Sequence, residues 1–245
     1  MTLFLASVRD EAEAEIALLN RADIVDLKEP AHGALGAVDR GTTSNIVSFV
    51  AGRVCVSATI GDLPMQPEMI RDAVLERAAC GVDYVKFGLF PGGDQQGCLD
   101  ALRPVAWRVH LILVLFTDRL PAFDAISAAA AMGASGIMLD TADKRTGSLV
   151  THLGLREIAC FITEARAHGL MVGVAGSIAV ADVPELLALA PDLLGFRGAL
   201  CHGSRNASLD AAACAAIRAL IPESHPVAET RPRARLSGAA AQALC

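Results

Sequence analysis

Along most of the chain, short apolar runs alternate with longer stretches whose apolar residues recur at helical spacing. Residues 3–7 (Leu-Phe-Leu-Ala-Ser) predict a first strand, and residues 9–21 a helix that turns Ala14, Ile16, Ala17 and Leu18 toward a core. Further strands are expected at 24–28, 54–59, 84–88, 110–116, 136–140, 171–175 and 193–197. Between them the pattern predicts a short helix capped by Thr43 or Ser44 and running to Ala51, then helices over 66–80 (Pro67 in its first turn), 99–107, 121–132, 151–168 and 181–189. A last helix is expected over 208–220, capped by Ser208.

Strands that are apolar throughout, each followed by a helix, argue for a parallel sheet covered on its faces by helices. The unit recurs eight times in roughly 220 residues, which favours a closed (β/α)8 TIM barrel over an open doubly wound sheet. No G-x-G-x-x-G follows the first strand, which weakens the open dinucleotide-binding alternative. The expected organisation is one catalytic domain over residues 1–221. From Pro222 to Cys245, prolines, arginines and alanines without periodicity read as a flexible tail.

Composition narrows the function classes. With 53% hydrophobic and 20% charged residues the chain suits a large packed core, and with only 4% aromatics that core must be aliphatic. The 21 basic and 27 acidic residues give a net charge of −6, which argues against general nucleic-acid binding. An anionic small-molecule substrate is still compatible, because the local field decides that. The seven cysteines are scattered and lack a C-x-x-C pair, as expected of reduced thiols in a cytoplasmic protein. The N-terminus shows no leader pattern, and the most apolar later window is broken by glycines, acids and prolines, so no membrane partner is expected. The Ala-rich helices leave room for contacts in a homo-oligomer.

Polar residues inside the apolar strands gather at one end. Asp26 and Lys28 lie two apart, and so on the same face of a strand; Lys86 interrupts Tyr-Val-Lys-Phe-Gly, and Asp140 closes the sixth strand. Thr59, Asp62, Asp143 and Lys144 stand at or just beyond other strand ends. In this architecture the active site forms at the C-terminal strand ends. A structural ion pair of Lys86 with Asp26 or Asp140 is the competing account, since an unpaired buried lysine is costly. Two lysines meeting in one cavity disfavour each other's charge. A neutral amine can then attack a carbonyl and form a Schiff base while its neighbour moves protons. The six histidines show no metal-ligand spacing, and no metal or cofactor is required.

The seventh and eighth strands end in Gly176-Ser177 and Arg197-Gly198. Small residues there expose backbone N–H groups to an anion, the usual phosphate position in a barrel, and Arg197 adds a positive charge that favours a phosphate contact. The residues alone therefore point to a Schiff-base enzyme for phosphorylated carbonyl compounds.

These motifs also carry a resemblance. Asp26-Leu-Lys28-Glu-Pro30 with Gly33-Ala-Leu-Gly36-Ala resembles the opening signature of the (5-formylfuran-3-yl)methyl phosphate synthase family, also called 4-(hydroxymethyl)-2-furancarboxaldehyde-phosphate synthase. Tyr84-Val-Lys86-Phe-Gly88, Met138-Leu-Asp140-Thr-Ala-Asp-Lys144, Ala175-Gly-Ser177 and Gly195-Phe-Arg197-Gly-Ala resemble its later motifs, over residues 3 to about 221. The resemblance implies condensation of two glyceraldehyde 3-phosphate molecules, with release of phosphate and water, on the route to methanofuran. It implies Lys28 as the Schiff-base lysine, Lys86 as the proton acceptor, and Asp26, Asp140 and Lys144 as helpers. A generic Schiff-base aldolase or isomerase of sugar phosphates is the alternative within enzymes. A non-catalytic barrel that binds a phosphorylated metabolite is the alternative outside them.

Overall fold

The computed structural model describes residues 1–119, 124–143 and 147–223. Eight strands close a barrel in chain order, every neighbouring pair parallel: β1 (Leu3–Val8), β2 (Ile24–Leu27), β3 (Cys55–Thr59), β4 (Tyr84–Gly88), β5 (Leu111–Phe116), β6 (Gly136–Asp140), β7 (Met171–Val174) and β8 (Leu193–Phe196). The helices between and after them are α1 (Glu11–Leu19), α2 (Arg40–Val50), α3 (Pro67–Ala78), α4 (Gln95–Leu102), α5 (Ala125–Met132), α6 (Leu149–His152), α7 (Leu155–Ala167), α8 (Val183–Ala188) and α9 (Ala211–Leu220). The expected (β/α)8 barrel is the fold. None of the helices among the described residues is long and apolar enough to cross a membrane.

Strand alternation divides the core in two. Leu5, Ile24, Ile112, Val114, Met138 and Leu193 pack with one another in one cluster. Their strand neighbours, among them Phe4, Val25, Leu113 and Leu194, join a second cluster with helix residues such as Ala14, Ile46, Val74 and Ile162. Since residues two apart share a face, Ser7, Asp26, Ser57 and Lys86 lie on the side of the first cluster, which is the barrel interior. Strand pairing sets Ser7, Asp26 and Ser57 side by side.

The helix boundaries correct several expectations, and aspartate caps account for the shifted starts of α2, α4 and α9. Asp39, Asp94, Asp124 and Asp210 are the N-caps of α2, α4, α5 and α9, each accepting a backbone N–H from the first turn. Thr43 and Ser44 therefore lie inside α2; the buried Thr43 hydroxyl donates to Asp39 O at 2.8 Å. The helix expected over 99–107 starts at Gln95 and stops at Leu102. Ser208 is not a cap, and instead its Oγ accepts from Arg9 at 3.1 Å. The expected 151–168 helix is split into α6 and α7, with Gly154 N donating to Glu157 at 2.8 Å as α7 starts. Residues 121–123 of the expected 121–132 helix, and all of the tail beyond 223, lie outside the described residues.

Candidate active site at the C-terminal face of the barrel

The C-terminal strand ends enclose a cavity of about 340 Å3, walled by residues that include Ser7, Asp26, Lys28, Lys86, Asp140 and the turns after β7 and β8. Asp26, on β2, is fully buried. One of its oxygens accepts from Ser7 Oγ at 2.8 Å; the other accepts from Ser57 Oγ at 2.6 Å and meets Lys86 Nζ at 2.6 Å. Ser7 and Ser57 can do this because β1 and β3 flank β2 with those residues in register. An ionised carboxylate takes several such donors at once.

Lys28 follows β2 and keeps its direction, its N–H donating to Val8 O at 2.9 Å. It is only 5% exposed, and its ammonium pairs with Asp140 Oδ2 at 3.2 Å across the barrel mouth. The other Asp140 oxygen accepts from Thr141 N at 2.8 Å. Asp26 and Lys28 thus share a face without pairing with each other: each takes its partner from a different strand.

Lys86 is 3% exposed. Burial pushes its pKa below the ordinary lysine value, against the attraction of Asp26, and the nearby Lys28 charge pushes the same way as burial. The surroundings thus drive Lys86 toward its neutral form.

The turn after β7 carries Gly176 at φ 111° and Ser177 at φ 51°. A Cβ on Gly176 would come within 3.1 Å of the Thr141 backbone, so glycine also lets two loops approach. The backbone N–H groups of Gly176 and Ser177 find no acceptor among the described residues. Gly198 opens a 3-10 turn directly after Arg197, with its N–H likewise unpaired. Both turns face the cavity.

Arg197 lines that wall as well, but its donors are all engaged. Its guanidinium forms a two-pronged pair with the buried Glu13 of α1, Nη2 to Oε1 at 3.1 Å and Nη1 to Oε2. The remaining N–H groups go to Ser7 O, Arg205 O and Ala207 O at 3.2, 2.9 and 2.8 Å. The sequence expectation of a phosphate contact from Arg197 is therefore replaced: the side chain has no N–H to offer without breaking a bond. It ties the β8 loop to α1.

The remaining strand-end residues divide similarly. Thr59 donates to Leu27 O and Gly36 O, and Asp62 accepts from Ala34 and Leu35 N–H; both hold the loop after β2. Asp143 N donates to Asp118, a residue the strand-end pattern did not single out. Lys144 lies outside the described residues. Sequence reasoning also passed over Ser7, Ser57, Glu13 and Arg205. For the two serines a signal existed, since each is the polar residue of its strand level with Asp26.

Eight parallel strands with buried lysine–carboxylate pairs at their C-terminal ends define a TIM barrel, a fold whose enzymes carry their chemistry at that face. Residues 4–218 match the model of the 4-HFC-P synthase family, and the chain belongs to that family. A relative from Methylorubrum extorquens is 41% identical over 209 residues, covering 85% of this chain and 86% of its own; its name ascribes (5-formylfuran-3-yl)methyl phosphate synthase activity to it provisionally. The (5-formylfuran-3-yl)methyl phosphate synthase of Methanopyrus kandleri is 34% identical over 215 residues, covering 82% of this chain and 91% of its own. Among solved structures, phosphoribosyl anthranilate isomerase from Thermus thermophilus superposes with a TM-score of 0.63 at 18% identity, over 90% of this chain and 98% of its own. A 3-hexulose-6-phosphate synthase does so with a TM-score of 0.58 at 19% identity, over 90% and 100%. At such identities these two speak for the fold alone. The chain is thus a member of a synthase family built on a TIM barrel.

Proposed function

We propose that this protein condenses two molecules of glyceraldehyde 3-phosphate into 4-(hydroxymethyl)-2-furancarboxaldehyde phosphate, with loss of phosphate and water, as a carbon–oxygen lyase of methanofuran biosynthesis in the cytoplasm. The observation that carries this reading is the meeting of two buried lysines in one cavity, one of them with a lowered pKa. The family membership points the same way.

In this reading Lys28 is the nucleophile. Its amine attacks a substrate carbonyl, and loss of water gives an iminium that draws electrons from the adjacent carbons. That electron sink serves both elimination of phosphate and formation of the carbon–carbon bond. Lys86 takes protons, a role that its lowered pKa favours. Asp26, fixed by two serine hydroxyls, holds Lys86 in place, and Asp140 does the same for Lys28. Lys144 is a further helper on the strength of the family resemblance. The substrate phosphate sits against the unpaired backbone N–H groups of Gly176, Ser177 and Gly198. Chemistry of this kind needs no cofactor.

Glyceraldehyde 3-phosphate supplied alone tests the reaction: a furan-aldehyde absorbance should grow with turnover. Reduction with borohydride during turnover should leave an adduct on Lys28, located by peptide mass. Label on Lys86 instead would exchange the two roles, and no label at all would end the Schiff-base reading.

A further inference from the structure

Among the described residues, charge pairing around the cavity leaves one cation over. Lys86 is matched by Asp26, Lys28 by Asp140, and Arg197 by Glu13. Arg205, on the loop after β8, lines the same cavity and forms no ion pair among the described residues. Among the described residues its guanidinium makes one hydrogen bond, Nη2 to Gly33 O at 3.2 Å. Of its five N–H groups, four are therefore left for a ligand. Its Cβ stands 3.8 Å from the place a side chain on Gly198 would start, so it rises beside the turn whose N–H is unpaired. Burial lowers its pKa while Asp140 raises it, which sets it in the same electrostatic neighbourhood as the lysines.

We infer that Arg205 is the guanidinium that grips the phosphate of the substrate, completing a cradle whose other donors are the backbone N–H groups of Gly176, Ser177 and Gly198. The inference rests on the phosphorylated substrate of the proposed function, and it goes beyond it in assigning the charge to Arg205 rather than Arg197. A fork of parallel N–H donors fits a phosphate with two oxygens, which a point charge does not. The contact to Gly33 gives the same side chain a second task. It joins the loop after β2, which follows Lys28, to the loop after β8.

Arg205→Gln and Arg205→Lys test this, with inorganic phosphate as the probe in calorimetric titration and as an inhibitor of borohydride trapping. The wild-type protein should bind phosphate, Arg205→Gln should weaken it by about tenfold or more, and Arg205→Lys should fall between, since a charged hydrogen-bond fork is lost in steps. Trapping of unphosphorylated glyceraldehyde on lysine should be unchanged in both variants while trapping of glyceraldehyde 3-phosphate loses apparent affinity. Equal phosphate affinity in wild type and Arg205→Gln overturns the inference, as does a wild-type protein that binds no phosphate. Should Arg205→Gln fold poorly, an Arg205→Lys variant with unaltered phosphate affinity overturns it equally. A protein that binds phosphate through Arg205 yet makes no furan aldehyde would keep the cradle and end the proposed reaction instead.

Discussion

Asp26 holds the ammonium of Lys86, two strands away, at 2.6 Å, while Lys28, two residues along its own strand, reaches over to Asp140 at 3.2 Å. The two pairs are crossed, and the crossing decides what each charge does. Lys86 is the more confined amine, and Asp26 counters the burial that lowers its pKa. Asp26→Asn keeps the volume and most hydrogen bonds but removes that counter-charge. Whatever ionisation of Lys86 limits turnover should therefore move to lower pH in Asp26→Asn. The rate against pH for both proteins checks this, and a limb that stays in place or rises would remove Lys86 from the proton transfers.

Stability carries the same sign. The folded protein binds the Lys86 proton less tightly than the unfolded chain, whose lysine has its ordinary value of 10.5. Between the lowered folded value and 10.5 the unfolded state holds more protons, so the Lys86 contribution to stability rises with pH across that window. Lys86→Met should flatten the rise. It should also cost about 3–5 kcal/mol near neutrality, because Asp26 is left buried without its cation. Urea midpoints measured across the alkaline range read both effects.

Lys28→Arg separates charge from chemistry. A guanidinium can still pair with Asp140 but does not lose a proton to become a nucleophile. Stability should stay within about 1.5 kcal/mol, the range of a tolerated volume change. Furan-aldehyde formation should fall by about a thousandfold or more if covalent catalysis is lost. The borohydride adduct should vanish. A Lys28→Arg protein that still forms a reducible adduct places the iminium elsewhere.

How far the sequence went depends on what each residue does. Asp26, Lys28, Lys86 and Asp140 were legible because a charge inside an apolar strand is conspicuous, and barrel geometry sends one end of every strand to the same place. Their pairing was not, because i and i+2 spacing reports a shared face and is silent on which neighbouring strand supplies a partner. Arg197 shows the opposite failure. An arginine directly before a glycine at the end of β8 looks like an anion site, but Glu13 in α1 claims it, and nothing local in the sequence joins positions so far apart. Arg205 sits in a polar loop segment where an arginine is unremarkable. Helix starts went astray where Thr or Ser was preferred over an aspartate a few residues away, although both residue types cap.

The Arg197–Glu13 pair has consequences for stability more than for turnover. Both side chains are buried, and Glu13 also accepts Arg9 N at 3.0 Å and Leu209 N at 3.3 Å. Removing one partner of such a pair leaves a buried charge, at a cost of about 3–5 kcal/mol. Arg197→Met and Glu13→Gln should each lower the unfolding free energy measured in urea by that amount, and the double variant should cost less than the sum. Strict additivity would mean that the two do not interact in the folded state. Phosphate affinity per folded molecule should change far less in Arg197→Met than in Arg205→Gln.

Gly33 is where the loop after β2 has no freedom left. Its φ is 117°, and a Cβ there would lie 2.2 Å from Asp62 Oδ2, the carboxylate that receives Ala34 N at 2.8 Å and Leu35 N at 2.6 Å. Gly33→Ala thus combines backbone strain with displacement of the group that holds the loop. Strain of this kind costs about 1–3 kcal/mol. The two causes can be told apart. Asp62→Ala removes both the obstruction and the acceptor, so Gly33→Ala in an Asp62→Ala background meets only the backbone term and should cost less than it does alone. Because the carbonyl of Gly33 is the acceptor of the Arg205 guanidinium among the described residues, Gly33→Ala should also weaken inorganic phosphate binding, whereas a loop with a purely structural role would leave that affinity untouched.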